Sequence, residues 1–295
     1  MKGIILAGGK GSRLYPLTEV VTKQLQPIYN KPMIYYPLSM LMLSGIKEVM
    51  IICNECDKPL FEKLLGDGSQ FGISLEFKVQ DAPNGLPEAF ILGEEFIAEQ
   101  DVCLLLGDNI FYGDFDIFRT AYQNQLAKEN DLHARVFAYK VTDPERYGVV
   151  DFDPDSKRVV DLEEKPTHPK SPYAIPGFYF FDKTVSRRSK ELRPSPRGEL
   201  EIIDLMQSYL DDNSLAVEIL GRGIAWLDTG TPESLCQASD FVAAVEQRQG
   251  FKIACLEEIS YKMGLIDKSK MIENIENMPN CEYKDYLNSI LKDEL

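Results

Sequence analysis

Short apolar runs alternate with amphipathic segments through the first half of the chain. Continuous apolar runs at 3–6, 49–53 and 102–106 are typical of strands buried on both faces, as in parallel sheets. Further strands are predicted at 75–79 and 134–139, and the helices predicted between strands cover 32–44, 57–65, 88–97 and 115–127. Pro37 should kink the first helix, and Asp57 should cap the second. This alternation predicts an α/β fold with a doubly wound, Rossmann-like sheet that is mixed but mostly parallel.

The second half of the chain has a different pattern. Short strands at 147–152, 159–162 and 177–181 follow one another without long helices between them, which predicts a small β-rich addition over the carboxyl edge of the sheet. Helical patterns return at 201–210 and 232–248, and a polar helical tail is predicted for 256–295.

A glycine-rich loop follows the first predicted strand. Gly8, Gly9 and Gly11 permit positive φ angles and remove Cβ atoms, so that backbone N–H groups can converge on an anion, while Lys10 and Arg13 add positive charge. The P-loop pattern is absent, and the dinucleotide pattern G-x-G-x-x-G is broken because its third glycine is Leu14. Since glycine turns after strands are often only structural, the residues further along the chain must decide whether this loop binds phosphate.

Acidic residues end two of the apolar runs. Asp108 follows the strand at 102–106, and Asp228 ends the apolar segment at 225–227. Ligands of open α/β sheets bind at this edge, where two carboxylates could share a Mg²⁺ ion that bridges substrate phosphates, although one aspartate there could equally cap a helix or turn. Glu163, Glu164 and Lys165 follow a third strand, and by themselves they are typical of a solvated strand end. No histidine or cysteine is placed as an obvious base or nucleophile, so the inventory favours phosphoryl or nucleotidyl transfer.

Charge and composition limit the classes of binding partner and the cellular location that we expect. A formal charge of −15 and a pI near 4.7 argue against general binding to nucleic acid or to an anionic membrane. The six cysteines are scattered, and the pair Cys53 and Cys56 lacks a second pair for a zinc site, which favours a reducing, cytoplasmic location. The last four residues, 292–295, spell an ER-retrieval signal, but no signal peptide is apparent, so we interpret them as a coincidental acidic helix end.

Six ordered motifs together resemble the sugar-1-phosphate nucleotidylyltransferases, and within them the enzymes that act on dTTP and glucose 1-phosphate on the path to dTDP-rhamnose. The resemblance runs from Lys2 to beyond Arg248, and its motifs lie at 6–14, 106–109, 145–149, 163–166, 197–202 and 221–230. It implies a nucleotidyltransferase catalytic domain over 1–250, in which about 1–130 binds the nucleotide and about 131–230 binds the sugar phosphate. The tail at 251–295 would then be an interface element.

The resemblance also implies a role for individual residues. Catalysis and charge neutralisation would fall to Arg13, Lys23, Asp108, Lys165 and Asp228, and Mg²⁺ would bind Asp108 and Asp228. The nucleotide would be bound by Leu6, Gly8, Gly9, Gly11, Ser12, Arg13, Gln24, Gln80, Gly85 and Asp108, and the sugar phosphate by Tyr147, Gly148, Glu164 and Lys165. A homotetramer with feedback inhibition by dTDP-rhamnose is implied as well.

Some positions depart from the family pattern. Gln26 replaces a leucine, Asn30 an aspartate, and Pro87-Glu88 an Ala-Gln pair, while Ile203 replaces a threonine. Glu88 adds negative charge beside the segment expected to face the nucleotide. Three alternatives to dTMP transfer remain: uridylyl transfer to glucose 1-phosphate, an NAD(P)-dependent oxidoreductase, and an inactive sugar-nucleotide sensor. The missing third glycine argues against the oxidoreductase, and the intact charged residues argue against the sensor.

Overall fold

The computed structural model describes residues 1–9, 11–128, 131–153 and 158–292, so residues 10, 129–130, 154–157 and 293–295 lie outside it. The strands are β1 (Lys2–Leu6), β2 (Pro27–Ile28), β3 (Lys31–Pro32), β4 (Glu48–Cys53), β5 (Ser74–Val79), β6 (Val102–Leu106), β7 (Asn109–Gly113), β8 (Ala134–Lys140), β9 (Gly148–Phe152), β10 (Val159–Glu164), β11 (Tyr173–Ala174), β12 (Phe178–Phe181), β13 (Leu215–Leu220) and β14 (Ile224–Asp228). The helices are α1 (Tyr35–Leu43), α2 (Lys58–Leu65), α3 (Glu88–Leu92), α4 (Glu94–Ile97), α5 (Asp116–Leu126), α6 (Val185–Glu191), α7 (Ile202–Asp211), α8 (Pro232–Gln249), α9 (Leu256–Lys262), α10 (Lys268–Glu276) and α11 (Glu282–Lys292).

One mixed sheet organises the described part of the chain. Its strand order is β10-β9-β11-β8-β12-β6-β1-β4-β5, and β13 also pairs with β8. The strands β6, β1, β4 and β5 are parallel. The continuous apolar runs of β6, β1 and β4 predict this, whereas β5 alternates apolar and polar residues. Ile4 and Ile5 are both fully buried but belong to different apolar clusters, because successive side chains of a strand point to opposite faces. Helices therefore cover both faces, and the predicted α/β class is confirmed.

The strands of the second half extend the central sheet. They were expected to form a layer over its carboxyl edge, but β12 pairs with β6 on one side and β8 on the other. The reason is that Phe178 to Phe181 are all buried, with alternate rings on opposite faces of the sheet. A strand that is apolar on both faces needs a neighbour on each side and cover above and below. The strands β7 and β13 were not predicted.

Two helix boundaries differ from the expectation. The first helix begins at Tyr35 because the preceding Lys31–Pro32 pairs with β2 in a hairpin. Pro37 then lies in the first helical turn, where a backbone N–H has no intrahelical partner to lose, so it does not kink the helix. The helix predicted at 88–97 is divided at Gly93, which packs against Ile4 of β1.

The end of the chain folds as three short helices that pack on the sheet domain through α1. Leu256, Met271 and Leu287, one from each helix, are fully buried. Tyr283 and Tyr286 of α11 donate hydrogen bonds to Glu257 and Glu258 of α9. These hydrogen bonds and the apolar packing hold the three helices to one another, and Leu256 joins them to the core of the sheet domain. Nowhere in the described ranges is there a helix with the length and apolar character needed to cross a membrane.

Candidate active site

A cavity of about 410 Å³ opens at the carboxyl ends of β1 and β6. This is the edge at which open α/β sheets bind ligands. Of the residues predicted for the site, those that line the cavity are Leu6, Gly9, Arg13, Gln80, Gly85, Asp108, Tyr147, Gly148, Glu164, Lys165 and Asp228. Residues from both the nucleotide set and the sugar-phosphate set thus share one cavity.

The glycine loop is shaped by close packing at two of its three glycines. A Cβ on Gly8 would lie 2.8 Å from Gln80 Oε1, and one on Gly11, whose φ is 58°, would lie 2.7 Å from Thr18 Cγ2. Gly9 is different because no heavy atom lies within 4 Å of its Cβ position, and it borders the cavity. Gly9 is therefore the point at which a ligand can approach the backbone most closely. Lys10, expected to add charge here, lies outside the described residues.

Two aspartates meet at one end of the cavity although they are far apart in sequence. Asp108 follows β6, and Asp228 ends β14, which runs antiparallel to β7 and places Asp228 opposite Asn109. The Thr229 hydroxyl, next to Asp228, donates to the Asp108 carbonyl at 2.8 Å. Burial raises the pKa of Asp228, and the neighbouring Asp108 carboxylate raises it further. The pairing of β7 with β14 therefore brings two carboxylates close together in a partly buried site.

Cations offset this charge. Lys23 Nζ lies 2.6 Å from Asp108 Oδ2, and the Lys23 side chain is buried. Arg13 lies close to Asp228, since both contact the position that a Cβ on Gly230 would take, at 3.3 Å and 3.1 Å. Both cations, together with Arg146, act to lower the pKa of Asp228 and so oppose the effect of its burial.

The pair of aspartates could hold a divalent metal ion together with phosphate oxygens. Carboxylate oxygens are the ligands that Mg²⁺ prefers, and it is usually held by one or two carboxylates together with phosphate oxygens and water. Within the described ranges no group of three or more potential metal-ligating side chains occurs. An all-protein metal cage is therefore not available there, but a site shared with phosphates is.

The other end of the cavity carries Glu164 and Lys165. Lys165 has a φ of 44°, and its backbone N–H donates to the Tyr147 carbonyl at 3.0 Å, which fixes the turn after β10. A side chain other than glycine in this left-handed region costs on the order of 1 kcal/mol. Glu164 Oε1 lies 3.0 Å from Lys165 Nζ and 3.6 Å from the Arg197 guanidinium. The charges after β10 therefore face the cavity, which a solvated strand end would not require.

Several cavity residues were not singled out from the sequence. Arg146 and Arg197 line the cavity, and both lie within motifs that carried the resemblance, so their charge could have marked them. Trp226 donates from its indole to Asn109 Oδ1 at 2.6 Å and packs on the Tyr147 ring at 5.1 Å between centroids. This contact depends on the β7–β14 pairing and has no signal in the sequence.

The remaining predicted residues do not line the cavity wall. Three of them, Gly8, Gly11 and Ser12, belong to the glycine loop. The fourth, Lys23, is buried and forms an ion pair with Asp108. Gln24 is buried, accepts a hydrogen bond from the Thr22 hydroxyl at 3.1 Å and packs against Gly107. Nucleotide binding by these residues stays a prediction. Cys53 is buried at the end of β4, and Cys56 is an exposed free thiol.

A glycine loop, paired carboxylates and flanking cations at the edge of a parallel sheet define an α/β protein with a phosphate-handling cleft. The family model for nucleotidyl transferases matches residues 2–245, and the chain belongs to this family. Family membership sets the oxidoreductase alternative aside.

Relatives and solved structures agree with this class. The glucose-1-phosphate thymidylyltransferases of Neisseria meningitidis serogroup A and Mycobacterium tuberculosis are 53% and 45% identical to it; each match covers 99% of this chain, and 100% and 99% of theirs. A Bacillus anthracis protein assigned as a glucose-1-phosphate thymidylyltransferase and solved with sucrose superposes with a TM-score of 0.75 at 39% identity, over 82% of this chain and 94% of its own. A UDP-glucose pyrophosphorylase solved with UDP-glucose shares the fold, with a TM-score of 0.73 at 20% identity over 84% of this chain and 99% of its own.

Proposed function

We propose that this chain transfers dTMP from dTTP to glucose 1-phosphate, giving dTDP-glucose and pyrophosphate. The observation that carries the proposal is one cavity that is lined by Gly9 and Arg13 of the glycine loop, by Asp108 and Asp228, and by Glu164 and Lys165. Support for the choice of substrates comes from full-length relatives named for this reaction. These relatives are 45% to 53% identical to this chain, whereas the UDP-glucose pyrophosphorylase is only 20% identical. At that lower identity, the likeness supports the fold alone.

The reaction needs positioning and charge neutralisation more than covalent chemistry. A phosphate oxygen of glucose 1-phosphate attacks the α-phosphorus of dTTP, the new P–O bond forms, and the bond to the β-phosphate breaks to release pyrophosphate. No general base is required, since the attacking phosphate is already ionised near neutral pH. This agrees with the described residues of the cavity lining, which include neither histidine nor cysteine.

Each end of the cavity has its own task in this scheme. Gly9 gives the triphosphate room to approach the backbone, and Arg13 neutralises the departing pyrophosphate. Lys165 holds the phosphate of the sugar, while Tyr147, Gly148 and Glu164 border the sugar itself. Asp108 and Asp228 would hold Mg²⁺, which when bound neutralises charge on the phosphate oxygens. Lys23 balances Asp108 within the protein itself.

The test is pyrophosphate release from purified protein with glucose 1-phosphate and Mg²⁺, run in parallel with dTTP, UTP, CTP, ATP and GTP. We expect dTTP to give the highest turnover. A preference for UTP above tenfold would replace the proposal with uridylyl transfer. No release with any nucleotide would favour a sugar-nucleotide sensor.

We also propose a homotetramer, inhibition by dTDP-rhamnose, and a cytoplasmic location, all of which rest on the resemblance and on cysteine usage. Light scattering coupled to size-exclusion chromatography tests the tetramer, and a monomer would contradict it. Inhibition is tested by adding dTDP-rhamnose to the pyrophosphate assay at fixed dTTP; an unchanged rate would contradict it.

A further inference from the structure

Gln26, one of the positions that depart from the family pattern, donates two hydrogen bonds to the loop at 15–21, which follows the glycine loop. Its Nε2 lies 3.0 Å from the Leu17 carbonyl oxygen and 3.0 Å from that of Val21. Gln26 is only 8% exposed, and its backbone N–H donates to the Lys23 carbonyl at 3.0 Å. A firmly held donor thus joins the two ends of this loop.

Apolar packing contributes little to holding the loop at 15–21. Its larger apolar side chains, Tyr15, Leu17 and Val20, are 69%, 48% and 84% exposed. Side chains that stay in water gain no burial free energy that would fix the backbone beneath them. The conformation of the loop therefore depends on hydrogen bonds, of which the two from Gln26 join its ends.

The loop at 15–21 in turn holds the glycine loop. The Thr18 hydroxyl donates to the Gly11 carbonyl at 3.0 Å, and Thr18 Cγ2 would lie 2.7 Å from a Cβ on Gly11. Gly11 directly precedes the short 3₁₀ helix Ser12–Leu14, which carries Arg13 at the cavity. A shift of the loop would therefore move the Arg13 guanidinium.

Resting on the proposed function, we propose that Gln26 is a positioning residue that holds the glycine loop in the conformation that binds the triphosphate. Its amide supplies two N–H donors to two carbonyls, which can only accept. The leucine of the family pattern supplies no donor, so these two bonds are particular to this chain. A loop that is correctly placed only part of the time binds its ligand with an apparent affinity reduced by that fraction. Gln26 does not line the cavity and therefore acts on nucleotide affinity through the loop.

A purely structural role for Gln26 is the alternative that the test must separate. Gln26 directly precedes β2, and its carbonyl accepts from the Met33 N–H at 2.9 Å. This backbone contact survives a change of side chain, so a substitution tests the amide alone. Loss of a purely structural contact would lower the unfolding temperature and leave both KM values unchanged. Loss of loop position would raise the KM for dTTP.

The experiment compares kcat and the KM values for dTTP and glucose 1-phosphate, with Mg²⁺, in the wild type, Gln26→Leu and Gln26→Glu. Gln26→Leu removes both donors, so we expect the KM for dTTP to rise by about tenfold, the effect of one or two neutral hydrogen bonds. Gln26→Glu places an acceptor against two carbonyls and should raise this KM at least as much. The KM for glucose 1-phosphate should stay within about twofold. The kcat should fall by less than about threefold, because saturating dTTP restores the loop.

Gln70→Leu is the matched control, since Gln70 also donates to a loop carbonyl, that of Leu65 at 2.6 Å, but does not line the cavity. Both of its KM values should equal those of the wild type. Thr18→Val removes the hydroxyl that links the two loops. The double variant with Gln26→Leu should raise the KM for dTTP by less than the product of the two single effects, because both act through one loop. Fully multiplicative effects would contradict this route.

Hydrogen exchange of the backbone amides at 15–22, followed by mass spectrometry, reports on the loop without turnover. Exchange there should be faster in Gln26→Leu than in the wild type, and saturating dTTP should slow it in both. Thermal unfolding of each variant reports on folding, and Gln26→Glu serves as the second variant if Gln26→Leu is unstable. An unchanged KM for dTTP, an equal rise for both substrates, or unchanged exchange at 15–22 would overturn the inference.

Failure of the proposed function is recognised separately, as an absence of turnover with dTTP in the wild type. The Kd for dTTP, measured by titration calorimetry, then replaces the KM in the same comparison. A Kd that Gln26→Leu raises by about tenfold, and that Gln70→Leu leaves unchanged, would support the inference without turnover. Equal binding in the wild type and Gln26→Leu, or no binding to either, would overturn it.

Discussion

The two ends of the cavity manage their charges differently. At the nucleotide end, Lys23 and Asp108 form an ion pair whose side chains are 7% and 27% exposed. At the sugar-phosphate end, Lys165 and Arg197 are each 51% exposed and share Glu164 at 3.0 Å and 3.6 Å. Exposed ion pairs contribute little to stability and separate easily, whereas partly buried ones are held more firmly. The nucleotide end is therefore prearranged. At the sugar end, Lys165 can turn toward an incoming phosphate, whereas Arg197 is held by Glu201, whose carboxylate accepts from the guanidinium at 2.9 Å.

The largest effect is expected from Asp228→Asn. The neutral amide leaves Asp108 as the one carboxylate of the pair, so turnover should fall by about 10²–10³-fold, the loss typical of one group that stabilises transition-state charge. The Mg²⁺ concentration for half-maximal rate should rise, as measured by titrating the metal in the pyrophosphate assay. Asp161→Asn is the control, because Asp161 pairs with Lys170 and does not line the cavity. An unchanged Mg²⁺ concentration for half-maximal rate would show that Asp228 does not bind the metal and has only a structural role in the turn.

Lys165→Ala should separate the two ends. Removing the ammonium group costs a charge-assisted hydrogen bond to the sugar phosphate, so the KM for glucose 1-phosphate should rise by about 10–100-fold. The KM for dTTP should change by less than about twofold because the nucleotide end does not depend on this side chain. Steady-state kinetics with each substrate varied in turn measures both values, with Lys170→Ala as the exposed-lysine control. An equal loss for both substrates would show that the two ends do not act separately.

Gly9→Ala makes the reciprocal test at the nucleotide end. The added methyl group meets no heavy atom within 4 Å, so stability should be nearly unchanged, while access of the triphosphate is reduced. We expect the KM for dTTP to rise by roughly tenfold, with little change for glucose 1-phosphate. Gly221→Ala is the control, since its Cβ position is equally open and lies outside the cavity lining. A rise in the KM for glucose 1-phosphate alone would contradict the assignment of Gly9 to the nucleotide end of the cavity.

The smallest effect concerns the strained backbone at Lys165. Lys165→Gly and Lys165→Ala both lack the ammonium group, but only glycine adopts a φ of 44° without steric cost. The glycine variant should therefore be more stable than the alanine variant by about 1 kcal/mol, measured by denaturant unfolding. Equal stability would mean that the turn after β10 relaxes when the lysine is lost.

The extent to which the sequence predicts this molecule differs between its parts. The strands β1, β4 and β6 were predicted because a parallel strand buried on both faces is a continuous apolar run. The strand β7 was missed because it begins at Asn109 and contains Gly113, residues typical of turns. Its pairing with β14 is a long-range contact that no local pattern reports, yet it brings Asp228 to Asp108.

The same distinction holds for individual side chains. Arg13, Asp108 and Lys165 line the cavity. The positions of Asp108 and Lys165 could be predicted because each follows a strand that the sequence pattern indicates. The orientation of Gln80 was not predictable, since it depends on a carboxylate eight positions away across a loop. Glu88 looked like added charge near the substrate, and its hydrogen bonds to two amides became visible only in the folded chain.

The central claim, that one cavity joins a nucleotide to a sugar phosphate, is tested most directly by identifying the products. Purified protein is incubated with dTTP, glucose 1-phosphate and Mg²⁺, and the phosphorus-containing species are followed by ³¹P NMR. We expect dTDP-glucose and pyrophosphate to appear in equal amounts, and neither to form when glucose 1-phosphate is omitted. Formation of dTMP without dTDP-glucose, or no reaction at all, would contradict the account.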